Sequence, residues 1–253
     1  MSQRIQHIIE DITEQYLEND GNIPWIIGFS GGKDSTVVLT LVWRALLAIR
    51  ATHGDESLKR PVFVVNNDTL VENPIISDYI IEVLDCIKTA AVKQDLPITV
   101  QITTPKLEDS FWISLLGKGY PVPNNQFRWC TDRLKIKPSS QFILDKIDAI
   151  GEAIVLIGTQ LSESATRAKS IRKYEIKGKR LTKHPLNPNT YTYAPIKELY
   201  LEEVWHILNT EPSPWGFDNK KLFKIYADAS ADDYECPTMM TDKSQHLFSV
   251  NVS

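Results

Sequence analysis

An α/β fold is predicted: a parallel sheet covered by helices on both faces, continued by a mostly helical C-terminal extension. Four short apolar runs, at 25–28, 61–65, 98–102 and 153–158, are separated by stretches with helical spacing of apolar residues. Strand–helix alternation of this kind implies a parallel sheet. The first run reaches Gly28 without alternating, as a strand buried on both faces does. The chain has 253 residues, 42% of them hydrophobic and 24% charged. That supports one sizeable core and excludes a disordered or fibrous protein.

In chain order, Ile5, Ile8, Ile9, Ile12 and Tyr16 mark a first amphipathic helix, stopped by Asn19-Asp20-Gly21-Asn22. A strand over 25–28 leads through glycines into a helix carrying Val37, Val38, Leu41, Val42 and Ala45. The second strand, 61–65, is closed by Asn66-Asn67-Asp68-Thr69. Asn73-Pro74 is a cap and first-turn pair for a long helix through Ile76, Ile80, Val83, Leu84 and Ile87. The third and fourth strands follow. Leu201, Val204, Trp205 and Leu208 mark another helix, and Leu222, Phe223, Ile225 and Tyr226 the last. The expected division is a nucleotide-type domain over 1–210 and a helical extension and tail over 211–253. A long loop of low order is expected over about 170–189.

The net charge of −4 argues against indiscriminate nucleic-acid binding, yet the charge is uneven. Arg167, Lys169, Arg172, Lys173, Lys177, Lys179, Arg180 and Lys183 are opposed in their stretch only by Glu175. Such a run is either a polyanion footprint or a solvated face. Three cysteines without regular spacing make no disulfide framework. No signal peptide or bilayer-spanning apolar run is seen, so a cytoplasmic protein with no membrane partner is expected. The five histidines show no metal spacing.

The chemistry concentrates at the end of the first strand. Ser30, Gly31, Gly32, Lys33, Asp34 and Ser35 place a glycine turn between a strand and a helix start. Such a turn aims backbone N–H groups and the positive helix end at one point, an anion site suited to phosphate. The serines add hydroxyl donors and Lys33 a mobile charge, while Asp34 either orients the lysine or holds magnesium. Gly28 lies one residue too close for the common nucleotide P-loop, which also lacks an aspartate after its lysine. In parallel sheets ligands lie at strand carboxyl ends, so Asn67, Asp68, Gly158 and Thr159 are candidates for the same ligand. The 66–69 segment is either a ribose or adenine contact or a plain turn.

Arg128-Trp129-Cys130-Thr131-Asp132-Arg133-Leu134-Lys135-Ile136-Lys137 crowds cations around a thiol. They either favour a reactive thiolate or bind phosphate, or the stretch is a solvated helix start with a buried cysteine. Cys86 falls in a helix pattern and is assigned to packing. Cys236 is left open between sulfur carrier, cluster ligand and inert residue.

The hexapeptide 30–35 resembles the PP-loop of ATP pyrophosphatases. Together with Asp68-Thr69, 128–138, 158–167, Ala194-Pro195-Ile196 and Glu203-Val204-Trp205, it resembles the phosphoadenosine-phosphosulfate reductase branch of that superfamily. Within the branch, 66–74 and 128–138 are most similar to DndC/SspD-type proteins, which install phosphorothioate in bacterial DNA. The resemblance implies an adenine nucleotide α-hydrolase-like fold that binds ATP with magnesium through Ser30, Gly31, Gly32, Lys33, Asp34, Ser35, Asn67, Asp68, Gly158 and Thr159. It implies catalytic roles for Lys33, Asp34 and Cys130, and a substrate-phosphate site at Arg128, Arg133, Lys135, Lys137 and Arg167. It further implies DNA as substrate, a cysteine desulfurase as sulfur donor and other phosphorothioation subunits as partners. The chain departs from both patterns. Glu235-Cys236 is followed by Pro237-Thr238 rather than the reductases' Gly-Leu-His, and no cysteine follows Cys236. Three cysteines cannot supply four ligands, so no four-cysteine iron–sulfur cluster is expected within this chain. The alternatives are a sulfonucleotide reductase-like enzyme and a non-catalytic ATP-sensing subunit.

Overall fold

The computed structural model describes residues 2–18, 23–124, 127–163, 165–175, 178–184 and 189–231. The elements are α1 (Ser2–Leu17), β1 (Trp25–Gly28), α2 (Lys33–His53), β2 (Val62–Asn67), α3 (Pro74–Lys93), β3 (Ile98–Thr103), α4 (Lys137–Ile150), β4 (Ala153–Leu156), α5 (Ala165–Tyr174), β5 (Thr182–Lys183), β6 (Thr190–Tyr193), α6 (Leu201–Thr210) and α7 (Lys220–Ala231). The sheet runs β3-β2-β1-β4-β6-β5, parallel throughout except for the antiparallel β5–β6 pair.

β1, β2 and β4 are apolar on both faces because both faces are covered, whereas β3 at the sheet edge buries only Ile98. Trp25 and Ile27, Val62 and Val64, and Ile154 and Leu156 join one large core with residues of α1, α2, α3 and α6. Ile26, Val65, Ala153 and Val155 point the other way, onto Ile143 and Ile147 of α4. Neighbouring residues therefore serve opposite cores, and period-two alternation disappears. Trp215, Phe217 and Leu222 belong to the larger core. The described part of the segment beyond 211 thus packs on the body of the chain. Among the described residues α2 is the one helix long and apolar enough to cross a membrane. It is the central helix of that core, with Val37 to Leu46 largely buried.

Local rules place the helix starts. The Asn73 side chain accepts the Ile75 N–H at 2.9 Å, and Pro74 takes the first turn. The expected parallel sheet is present, with β5 added antiparallel at its edge, and the 170–189 stretch carries regular structure among its described residues. Within it α5 continues to Tyr174 and β5 pairs with β6. The Thr-Tyr-Thr-Tyr of β6 has the branched and aromatic residues of a strand, but four residues are a faint signal.

Arg60, just before β2, holds the start of the fold together although fully buried. Its guanidinium donates to the carbonyls of Tyr16 (2.9 Å), Ile23 (2.6 Å) and Glu18. In return the Tyr16 hydroxyl donates to the Arg60 carbonyl at 2.8 Å. One side chain thus caps the C-terminal end of α1 and fixes the entry to β1. Burial pulls the guanidinium below its ordinary pKa, against Tyr16 and Glu18.

Candidate functional site

β1 is flanked by β2 on one side and by β4 on the other, so the chain's direction of travel reverses between β1 and β4. At such a reversal the loops leaving the two strands separate and open a crevice at their carboxyl ends. Residues 29–32 and 157–160 occupy it.

The first of these loops is built for close backbone approach. Gly31 has φ +74°, and a Cβ there would come within 3.1 Å of the Ile80 side chain and 3.3 Å of Tyr79. The Tyr79 hydroxyl donates to the Gly31 carbonyl at 3.0 Å, pinning the turn to α3. Burial pushes that phenol well above its ordinary pKa, with Tyr226 adding to the effect, so it stays a donor. Gly32 is the N-cap of α2 and brings no capping side chain. Its N–H donates to Ser30 Oγ at 3.3 Å, and Ser30 Oγ lies 3.2 Å from Ser35 Oγ. The Ser35 and Thr36 hydroxyls donate back to the Gly32 carbonyl, at 3.0 and 2.8 Å.

Lys33 and Asp34, each only 3% exposed, form an ion pair of 3.0 Å within the first turn of α2. The other Asp34 oxygen accepts from Gln160 Nε2 at 3.0 Å. A Cβ on Gly158 would approach the Asp34 backbone carbon to 2.9 Å, so only glycine lets the two loops meet this closely. Thr159 is 2% exposed, and its hydroxyl has no hydrogen-bond partner among the described residues. A buried hydroxyl in that state suits a ligand's polar atom. Ser30, Gly31, Gly32, Lys33, Asp34, Ser35, Gly158 and Thr159 thus lie in one crevice. Gln160 joins them. Strand-end reasoning reached its neighbours, but the pairing with Asp34 spans 126 residues.

Asp34 has both carboxylate oxygens engaged, and among the described residues no group of three or more His, Cys, Asp or Glu side chains could hold a metal. Asp34 is thus paired with Lys33, and a magnesium ion at this carboxylate would take its remaining ligands from the nucleotide and water.

The other candidates have partners of their own within the protein. Asn67 Nδ2 donates to Ser139 Oγ (2.6 Å) and the Lys135 carbonyl (3.2 Å), while its oxygen accepts from Thr103. It fastens β2 to the segment before α4. Asp68 accepts the Leu70 N–H at 2.8 Å in a tight turn. Asn66 ties the two strand ends, donating to the Phe29 carbonyl at 2.8 Å.

Cys130 is buried with Trp129 and Leu134, against Val71, Phe111 and Tyr120. The charged ends of its sequence neighbours go to carboxylates. Arg133 and Lys137 pair with Asp109, and Lys135 lies 3.7 Å from Glu72. Arg128 is half-buried. Arg167 lies on α5, its side chain outside the described residues, as is the whole of Cys236. Within the basic run, Arg180 is committed to Asp11 and Glu14 of α1 and to Glu18 just after it. Lys169, Arg172 and Lys173 on α5, and Lys179 and Lys183 beyond it, are exposed.

Burial acts to raise the Asp109 pKa, but Lys137 and Arg133 together hold it below its ordinary 3.8. A depressed carboxyl stabilises the fold above its unfolded-state value, and the contribution is lost as pH falls through the folded-state value. Wild type is therefore expected to lose melting temperature more steeply than Asp109→Asn below about pH 4, as a pH series of thermal scans would reveal.

Comparison with known proteins agrees with this architecture. The family model described as the phosphoadenosine phosphosulfate reductase domain matches residues 24–215. An uncharacterized protein of Methanocaldococcus jannaschii is 27% identical over 212 residues, which are 79% of this chain and 35% of that protein. The chain thus spans about a third of that relative's length. The NH3-dependent NAD synthetase of Campylobacter jejuni superposes with a TM-score of 0.50 at 14% identity, over 97% of this chain and 90% of that one. The phosphoadenylyl-sulfate reductase of Candida auris superposes with a TM-score of 0.49 at 14% identity, over 87% and 90% of the two chains. The chain belongs to the phosphoadenosine phosphosulfate reductase domain family.

Proposed function

We propose that the chain is an ATP pyrophosphatase that cleaves ATP between its α and β phosphates and so activates a phosphate oxygen for replacement by sulfur. The observation that carries this reading is the buried Lys33–Asp34–Gln160 cluster in the first turn of α2, beside a glycine loop at the crevice between β1 and β4. A lysine held this way, at the positive end of a helix, suits a diphosphate leaving group.

In this reading the β and γ phosphates lie against residues 30–35, with magnesium arriving as part of the nucleotide. Ser30 and Ser35 donate to phosphate oxygens. Lys33 neutralises charge as the bond from the α phosphorus to the bridging oxygen breaks, and Asp34 and Gln160 hold the lysine on that line. The Thr159 hydroxyl donates to the nucleotide from β4. The attacking atom is a non-bridging oxygen of a second phosphate, giving an adenylated phosphate and pyrophosphate. A sulfur nucleophile then displaces AMP.

We assign the second phosphate to DNA on two grounds. One is the resemblance of 66–74 and 128–138 to DNA-phosphorothioating proteins. The other is the set of exposed cations on α5, which starts just beyond the loop after β4. The cysteine desulfurase and other modification subunits follow from the same resemblance. Cys130, the proposed sulfur carrier, would have to leave its cluster with Trp129 and Phe111 to reach a donor.

A second reading, reduction of a sulfonucleotide, is favoured by the family itself. One pair of assays separates them. Incubation with ATP, magnesium, DNA and sodium sulfide as the sulfur nucleophile is expected to yield AMP and pyrophosphate in equal amounts. Phosphoadenylyl sulfate with a thioredoxin-type reductant is expected to yield no sulfite. Sulfite release without ATP cleavage would overturn the first reading in favour of the second.

A further inference from the structure

The C-terminal helix puts a side chain into the phosphate loop. The Lys33 backbone N–H donates to the Tyr226 hydroxyl oxygen at 3.3 Å. A Cβ on Gly32 would lie 3.2 Å from the same oxygen, and the Lys33 ammonium is 5.9 Å from the centre of the Tyr226 ring. The N–H groups of a helix's first turn have no partner within the helix, and Gly32 supplies no capping side chain. A tyrosine hydroxyl from 193 residues away fills that role here. Its oxygen takes the position from which an anion's oxygen would accept the same N–H.

We propose that the Tyr226 hydroxyl competes with a phosphate oxygen for the Lys33 N–H, and that α7 withdraws when the diphosphate end of a nucleotide seats in the loop. This rests on the assignment of residues 30–35 as the diphosphate site. A phosphate oxygen carries charge and bonds an N–H more strongly than a neutral phenol does, so the anion displaces the hydroxyl. The exchange is opposed by the contacts that seat the tyrosine. The Trp205 ring of α6 lies 5.0 Å from both the Tyr226 and Phe223 rings, which couples the tyrosine to its helix.

α7 is seated on the larger core along part of one face. Leu222 is its one buried side chain among those described, while Phe223, Ile225 and Tyr226 are half-buried. The ion pair of Lys221 with Glu82 of α3 is about half exposed on both sides, a weak tether. Occupancy of the loop is therefore read out as the position of the C-terminal helix.

The test uses the full chain and inorganic pyrophosphate, with Tyr226→Phe as the variant. Removing the competing hydroxyl is expected to tighten pyrophosphate binding about three- to tenfold in calorimetry, the worth of one neutral hydrogen bond. In wild type, pyrophosphate is expected to accelerate amide hydrogen exchange over 220–231, the reverse of the protection a ligand ordinarily gives. Weaker binding by Tyr226→Phe would make the hydroxyl a ligand of the anion and overturn the proposal. So would unchanged affinity together with unchanged exchange. Ser35→Ala separates this from failure of the site itself. Pyrophosphate binding that wild type shows and Ser35→Ala weakens keeps the diphosphate site, even where the Tyr226 results overturn the gate. No binding by wild type removes both.

Discussion

Lys33→Ala is expected to destroy ATP cleavage and to destabilise the fold in the same stroke. The lysine lies 3.0 Å from an aspartate as buried as itself. Truncating one partner of a buried pair leaves the other charge without its counterion, at about 3–5 kcal/mol. Denaturant unfolding would register that loss as a lower midpoint. Formation of AMP and pyrophosphate is expected to fall at least about 10²-fold, the usual effect of removing one group that stabilises developing charge. The two effects can be separated. Lys33→Met and Asp34→Leu, combined with Gln160→Leu so that no buried amide loses its acceptor, replace the cluster by apolar groups of similar size, which is often neutral for stability. That triple variant is expected to regain most of the lost stability and none of the activity. Full turnover in a folded Lys33→Ala protein would remove the loop from the mechanism.

Arg60→Ala is expected to cost a comparable amount with no direct effect on chemistry. The side chain is fully buried, and its fork serves the carbonyls of Tyr16, Glu18 and Ile23. Removing it leaves three carbonyl groups uncapped beside a cavity between the Tyr16 and Trp25 rings. Charge-assisted hydrogen bonds and a void of that size sum to about 3–5 kcal/mol. Arg60→Lys is expected to recover only part, because an ammonium cannot present the planar fork that reaches three acceptors. Equilibrium unfolding of the three proteins would rank them, and equal stability of Arg60→Lys and wild type would contradict this account.

Those two residues mark how far the sequence could be read. Lys33 was legible because its chemistry is local: strand, glycines, lysine and helix start are consecutive, and no packing argument calls for a lysine there. Arg60 looked like an ordinary polar residue before a strand. Its partners lie 37 to 44 residues away, at a distance no periodicity records. β1, β2 and β4 were legible for the reason Ile26 and Ile27 illustrate, since serving cores on both faces makes a run continuously apolar. β5 was not, because two residues cannot display a period. Asn67 and Arg133 were singled out by sequence position, but their partners within the protein, Ser139 and Asp109, are tertiary contacts that no local pattern records. Tyr226 resembled any apolar-face aromatic of a helix, and only the tertiary fold reveals which backbone N–H its hydroxyl meets.

The brevity of β5 has a consequence for how copies of the molecule meet. A sheet's last strand offers unpaired backbone groups to any passing chain, and a long flat one invites stacking into aggregates. Here that border is two residues, one of them the lysine Lys183, running against the direction of its neighbour. A second molecule docking there would gain little more than a pair of backbone bonds while bringing like charges together. That side of the sheet is a poor template for polymerisation, so the protein can be concentrated without this border seeding fibres.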